Sequence, residues 1–264
     1  MGIRLVVSDM DGTLFGKDER LPAFASEFSH TLERRGILFA AATGRSMPLA
    51  RRFIDLLAPT APCVYANGAL ICSDKLVLKK VMFPLYPLRE ILAYAVDCGM
   101  SVAVNWDERE EFVLKHTPWT IAQSSRFGIY QREYGPTLNE WKTRSAYKIL
   151  IKDAQHRIER ITEPLKELAA YCSFVKYETG AAEIMAEGLN KAQGVLQLAS
   201  ALHIDRGDVL AIGDFYNDIE MMTSVGWSAA VGNAIDEVKE RAGYVCRGEM
   251  ALGVKEAIEK FCLS

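Results

Sequence analysis

Short apolar runs alternate with amphipathic stretches at both ends of this 264-residue chain, and the alternation lapses between them. Ile3-Arg4-Leu5-Val6-Val7, 37–42 and 63–66 are brief and apolar, and each closes in a polar or glycine-containing turn. Between them, Phe24, Phe28 and Leu32 recur at four-residue spacing up to Gly36, and Leu49, Phe53, Ile54 and Leu57 share one face of a second helix. Apolar strands alternating with helices predict a parallel sheet covered on both faces, with right-handed crossovers. The pattern resumes after Asn190: a helix from Lys191 through His203, a strand over 208–212, another helix, a strand over 228–231, and helices over about 235–242 and 251–261.

The middle reads differently. Residues 76–81 suggest an exposed strand, and Pro84 and Pro87 then punctuate the chain. Leu88, Ile91, Leu92, Ala95 and Val96 make a helix face that closes at Gly99. The alternating runs 102–106 and 111–115 predict an antiparallel pair. Residues 116–144 read as helix and loop, followed by a strand over 147–151, a helix through Ile158, Ile161, Leu165 and Leu168, and a hairpin of 174–177 with 182–186. Pro164 is an irregularity inside that helix. The expected fold class is α/β: a parallel-sheet core over 1–83 and 187–264, with an α+β domain inserted at 84–186.

Charge and cysteine usage narrow the function. A net charge of −3 gives no basic field to recruit nucleic acid. No apolar stretch reaches the length of a membrane span. The chain opens on a strand, so no signal peptide is expected. Six scattered cysteines without a Cys-x-x-Cys pair argue against a disulfide scaffold or a zinc cluster, and predict a reducing, cytoplasmic setting. The four histidines form no ligand pair at helical spacing. The expected partner is a small molecule; neither nucleic acid, nor membrane, nor an obligate protein partner is indicated.

The chemistry gathers where the parallel strands end, the edge at which open α/β sheets bind ligands. The first run ends in Asp9-Met10-Asp11-Gly12-Thr13. Two carboxylates two residues apart on a continuing strand would share a face, and their repulsion invites a divalent cation. One could attack while the other handles protons. The second run delivers Thr43 and Gly44, a hydroxyl and a backbone N–H open to an anion. Asn67 and Gly68 close the third. Lys191 opens the returning helix, and the strand over 208–212 ends in Asp214, Asn217 and Asp218. Each taken singly has a plainer reading as a turn, a solvated lysine or a helix cap. Together they supply carboxylates, a hydroxyl and an amine at matching strand ends. Oxygen donors without a histidine or thiol set suit Mg²⁺, and a phosphate group is the natural anion between Lys191 and the metal.

With these motifs the chain resembles the haloacid dehalogenase superfamily of aspartyl-phosphate enzymes, and within it the Cof-type phosphatases, whose Rossmann-like core carries a large α+β cap. The resemblance covers the core, and the cap matches in place and length. It implies that Asp9 is the nucleophile and Asp11 the general acid/base. It further implies that Thr43 bonds the phosphoryl group, that Lys191 neutralises nucleophile and phosphate, and that Asn217 lies near the phosphate. Asn67-Gly68 resembles a substrate-side turn. The metal would fall to Asp9, the Asp11 main-chain carbonyl and Asp214, with Asp218 in support. Ala192 stands where a glycine is frequent. Sugar phosphates are the implied substrates, with flavin mononucleotide and pyridoxal phosphate as other possibilities in the family. Trp119, Tyr130 and Tyr134 are candidates for lining the substrate pocket, with cap core as the competing role. Two further readings of the same core are a phosphotransferase or mutase, and a non-catalytic phospho-acceptor, which would have no use for Asp11 as a proton shuttle.

Overall fold

Leu5, Val6 and Val7 are wholly buried, as a β-branched run in the middle of a two-sided sheet should be. In the computed structural model, which describes residues 2–135, 137–177 and 180–263, the strand Leu5–Ser8 is flanked on both sides by parallel partners. Leu5 pairs with Val209 of the strand Val209–Gly213 and with Leu38 of the strand Leu38–Ala41. Trp227–Ala230 and Tyr244–Val245 extend the sheet to five parallel strands, in the order Tyr244, Trp227, Val209, Leu5, Leu38. The first strand is therefore an interior one, and the chain leaves it in opposite directions along the sheet. Its carboxyl end lies at the switch point where such sheets open a crevice.

The third strand departs from the expected parallel set. Cys63–Tyr65 touches the sheet through one parallel bridge between Ala42 and Val64, then pairs antiparallel with Leu70–Cys72, with Val77–Lys80 beyond. The cause is the turn after it. Ala66, Asn67 and Gly68 all take positive φ, at 48°, 49° and 97°, which reverses the chain.

The chain divides into two compact units, one of 1–45, 53–79 and 190–264, the other of 46–52 and 80–189. The start of the helix Met47–Leu57 clusters with the second unit, a division that helical periodicity gives no means of anticipating. In the second unit a six-stranded sheet runs in the order Ser173–Tyr177, Ala181–Met185, Lys148–Lys152, Ser101–Asn105, Glu111–Val113, Gln131–Glu133. Every pair is antiparallel except the last, Glu111–Val113 with Gln131–Glu133. Leu92 of the helix Arg89–Asp97 and Ile161 and Leu165 of the helix Glu159–Leu165 join Val102, Ile149 and Ile184 in one core. The stretch 116–144 holds helices Pro118–Phe127 and Leu138–Thr143 around the edge strand Gln131–Glu133. Within it Tyr134 packs against Trp106 and Phe112, Trp119 is half-buried, and Tyr130 is exposed. All six cysteines are free thiols, five of them buried. Among the described residues no helix is long and apolar enough to cross a membrane.

Candidate active site

The first strand stops at Ser8, and the Asp9 N–H still donates to Ile212 O of the neighbouring strand at 2.9 Å. Asp9 is thereby held at the sheet edge with only 4% of its surface exposed. Then the chain turns. Met10 O accepts the Leu14 N–H at 2.8 Å, and Gly12 takes φ 89°. This corrects the expectation of two carboxylates on one face. Asp9 faces the buried cluster, whereas Asp11, its side chain half-exposed, bonds Arg45 Nε at 2.8 Å and Nη2 at 2.5 Å. The Asp11 side chain is accordingly not among the clustered carboxylates.

Lys191 ties the cluster together. Asn190 caps the helix Lys191–Ala201 by accepting the Gln193 N–H at 2.8 Å, which sets Lys191 at its first turn. The buried ammonium donates to Asp9 Oδ1 and, at 2.8 Å, to Asp218 Oδ1. Asp218 Oδ2 accepts the N–H groups of Asp214 and Phe215 at 3.0 and 3.1 Å. Both Asp218 oxygens are thus engaged by protein donors, so this residue orients Lys191 and the loop that carries Asp214. A Cβ at Gly213 would lie 2.5 Å from Asp218 Cβ, so only glycine leaves room for that carboxylate. The Thr13 hydroxyl donates to Asp214 Oδ1 at 2.7 Å, and a Cβ at Gly12 would fall 2.2 Å from Asp214 Oδ2.

Asp9, Asp214 and Asp218 each offer an oxygen within 4.8 Å of the others'. One ammonium faces three carboxylates, so the cluster retains excess negative charge. Burial pushes the Asp9 carboxyl well up, Asp218 and Asp214 push it further, and Lys191 opposes them. Burial likewise raises Asp214. Burial would lower the Lys191 ammonium, but Asp218 and Asp9 more than offset this and hold it above its ordinary value. A set of oxygen donors with uncompensated charge and no histidine or thiol fits a hard metal ion.

On the neighbouring loops, Thr43 is buried, donates its N–H to Val64 O at 2.8 Å, and accepts the Asn67 N–H at 3.1 Å through its carbonyl. Its Oγ1 accepts the Arg45 N–H at 3.1 Å. A Cβ at Gly44 would stand 3.3 Å from Asn67 Oδ1, so these two are neighbours. That oxygen is buried and accepts no hydrogen bond from the described residues. Gly68 meets the returning helix, where a Cβ would lie 2.7 Å from Asn190 O. Gly194 completes the close approach, since a Cβ there would come within 2.9 Å of Gly68 Cα. Asn217, in the first turn of the helix Tyr216–Thr223, is exposed, and no hydrogen bond joins it to the cluster.

Sequence reasoning passed over Thr13, Arg45, Glu19 and Asn233. Asn233 Nδ2 donates to Gly12 O at 2.8 Å and its Oδ1 accepts the Met250 N–H at 2.8 Å, pinning the first loop from the fourth strand end. The signal was present: Asn233 follows a strand-ending glycine, Thr13 closes the first motif, and Arg45 comes directly after Thr43 and Gly44.

A family model described as haloacid dehalogenase-like hydrolase matches residues 6–258. A phosphoglycolate phosphatase of Methanobrevibacter smithii is 26% identical over 264 residues, covering the whole of both chains. A 5-amino-6-(5-phospho-D-ribitylamino)uracil phosphatase of Bacillus subtilis is 24% identical, covering 99% of this chain and 96% of that one. Among solved structures, the subclass IIB sugar phosphatase BT4131 superposes with a TM-score of 0.73 at 20% identity, covering 97% of this chain and 96% of that one.

Proposed function

The chain belongs to the haloacid dehalogenase-like hydrolases and is a phosphoric monoester hydrolase, and from that premise we propose that it dephosphorylates small phosphorylated metabolites, sugar phosphates foremost, with Mg²⁺. The observation that carries the reading is the bridge from Lys191 to both Asp9 and Asp218 in a buried acidic cluster at the strand ends. Such an ammonium neutralises a nucleophilic carboxylate and an arriving phosphoryl group together.

In this reading an Asp9 carboxylate oxygen attacks phosphorus in line with the departing alcohol. Asp11 protonates the leaving oxygen as its bond to phosphorus breaks, leaving a phosphoaspartate on Asp9. Asp11 then takes a proton from water, which attacks the phosphoaspartate and releases inorganic phosphate. Lys191, the Thr43 hydroxyl and the Gly44 N–H hold the phosphoryl oxygens, with Asn217 nearby. Asp9, Asp214 and the Asp11 main-chain carbonyl would hold Mg²⁺, and Asp218 supports them. When bound, Mg²⁺ supplies Lewis-acid stabilisation of the charge on the phosphoryl oxygens. Choice of substrate is assigned to the inserted domain of 84–186, and Asn67-Gly68 to the substrate-side turn. A small-molecule substrate in the cytoplasm, without nucleic acid, membrane or obligate partner, completes the reading. The named activities of the sugar phosphatase, the phosphoglycolate phosphatase and the ribitylaminouracil phosphatase all concern small phosphate esters, which supports this class.

The test is phosphate release from a panel of phosphorylated metabolites with 4-nitrophenyl phosphate as reference, run beside Asp9→Asn. The variant should keep its fold by circular dichroism and lose about 10³-fold or more in kcat. Substantial residual turnover by Asp9→Asn would mean that the nucleophile lies elsewhere.

A further inference from the structure

We propose that Arg45, held in turn by Glu19, is a positioning residue that sets the orientation of the Asp11 carboxyl for proton transfer. The proposal rests on Asp11 as the general acid/base. Asp11 lies beyond the end of the strand, on a turn, with its side chain half-exposed. Nothing in the sheet therefore fixes where its carboxyl points. Proton transfer tolerates little misplacement, because donor and acceptor must come within hydrogen-bond reach in the transition state.

Arg45 provides the missing constraint. Its guanidinium meets Asp11 as a two-pronged fork, Nε to Oδ2 at 2.8 Å and Nη2 to Oδ1 at 2.5 Å. Two parallel bonds fix direction as well as distance, which a single point charge does not. The guanidinium is itself held from three sides. Its Nη2 also donates to Glu19 Oε1 at 2.7 Å, and its carbon lies 5.0 Å from the Phe53 ring centre and 5.5 Å from that of Phe15. Those rings stack on each other at 4.2 Å. The Glu19 side chain is 9% exposed, against 49% for Asp11. Glu19 also sits at φ 52°, a left-handed backbone that a non-glycine residue keeps where surrounding contacts over-determine it. The main chain of Arg45 links the same device to the phosphate side: its N–H donates to Thr43 Oγ1 and its carbonyl accepts the Ala66 N–H at 2.9 Å. The proton donor and the phosphate-binding hydroxyl are thereby referenced to one residue.

A salt bridge that merely braced the loop would, on removal, slow all substrates alike. A device that aims the proton donor matters in proportion to how much the leaving group needs a proton. The experiment measures kcat/KM of the Mg²⁺-loaded enzyme on 2,4-dinitrophenyl, 4-nitrophenyl and phenyl phosphate. Arg45→Met should stay within about threefold of wild type on the dinitrophenyl ester and fall about 30-fold or more on phenyl phosphate, a partial loss of the roughly 10²–10⁴-fold that general-acid catalysis contributes. Glu19→Gln should shift the series in the same direction by a smaller factor. Arg45→Lys keeps the charge without the fork and should resemble Arg45→Met, and with Glu19→Gln it carries the test if Arg45→Met does not fold. Equal losses across the series, or no loss, would overturn the proposal. Asp11→Asn separates the two readings. If it leaves the leaving-group dependence unchanged, the acid/base assignment itself fails. If it steepens the dependence and the Arg45 and Glu19 variants do not, the positioning role alone fails.

Discussion

Thr13 Oγ1 donates to Asp214 Oδ1 at 2.7 Å across 201 positions of sequence. The bond leaves the second Asp214 oxygen facing Gly12, where only the absence of a Cβ makes room. Partners of this kind set the orientation and basicity of a metal-binding carboxylate. Thr13→Val should therefore weaken the apparent affinity for the activating metal about tenfold, while saturating metal restores most of kcat. Activity titrated against free Mg²⁺ reads this, and an unchanged half-saturation point would remove Thr13 from the metal's support.

Removing the metal should stop the reaction altogether. Three carboxylates facing one ammonium leave uncompensated charge, which in the proposed function would repel an anionic substrate unless a cation offsets it. Excess EDTA should abolish turnover of 4-nitrophenyl phosphate, and added Mg²⁺ should restore it. Full activity in EDTA would overturn the metal assignment.

Gly68→Ala should cost stability. The position needs φ 97°, and a Cβ would press to within 2.7 Å of Asn190 O, a backbone atom that cannot step aside. The expected loss is about 1–3 kcal/mol in urea unfolding. Asn190 caps the helix that starts at Lys191, so kcat should fall as well. An unchanged unfolding midpoint would show that the turn relaxes freely.

Glu111 predicts a pH effect on stability far from the chemistry. It is 3% exposed, and burial pushes its carboxyl above the ordinary 4.5 despite bonds from Gln131 and Asn105 and the charge of Lys148. A carboxyl whose folded pKa is raised opposes folding once it ionises. Stability therefore falls as pH rises from 4.5 through the folded value. Glu111→Gln should be the more stable protein at about pH 8, with the two thermal midpoints converging at about pH 4. A gap of the same size at both values would mean that charge is not the cause.

Much of the site was readable before any coordinates. Asp9, Thr43 and Asp214 stand where apolar runs give way to polar residues, Lys191 opens a helix behind a capping Asn190, and a run such as Leu5-Val6-Val7 declares a buried strand whatever surrounds it. The strand Gln131–Glu133 was not readable, because Gln131-Arg132-Glu133 has no apolar alternation and becomes a strand only by pairing with Glu111–Val113. The third core strand was readable as a strand but not in its partners, since three successive positive-φ residues decide those.

By itself, the order of residues determined the α/β class, the inserted α+β segment, which strand ends carry carboxylate and hydroxyl, and which helix start carries the amine, because periodicity and turn chemistry act over a few residues. Tertiary structure alone decided where those groups point. Asp11 turns to Arg45 rather than joining Asp9, Asp218 serves Lys191 and two backbone N–H groups, and Asp214 and Asn233 hold the first loop, at Thr13 and Gly12, from more than 200 residues away. Hydrogen bonds between segments so distant depend on how the sheet brings strand ends together, and no local pattern encodes that distance.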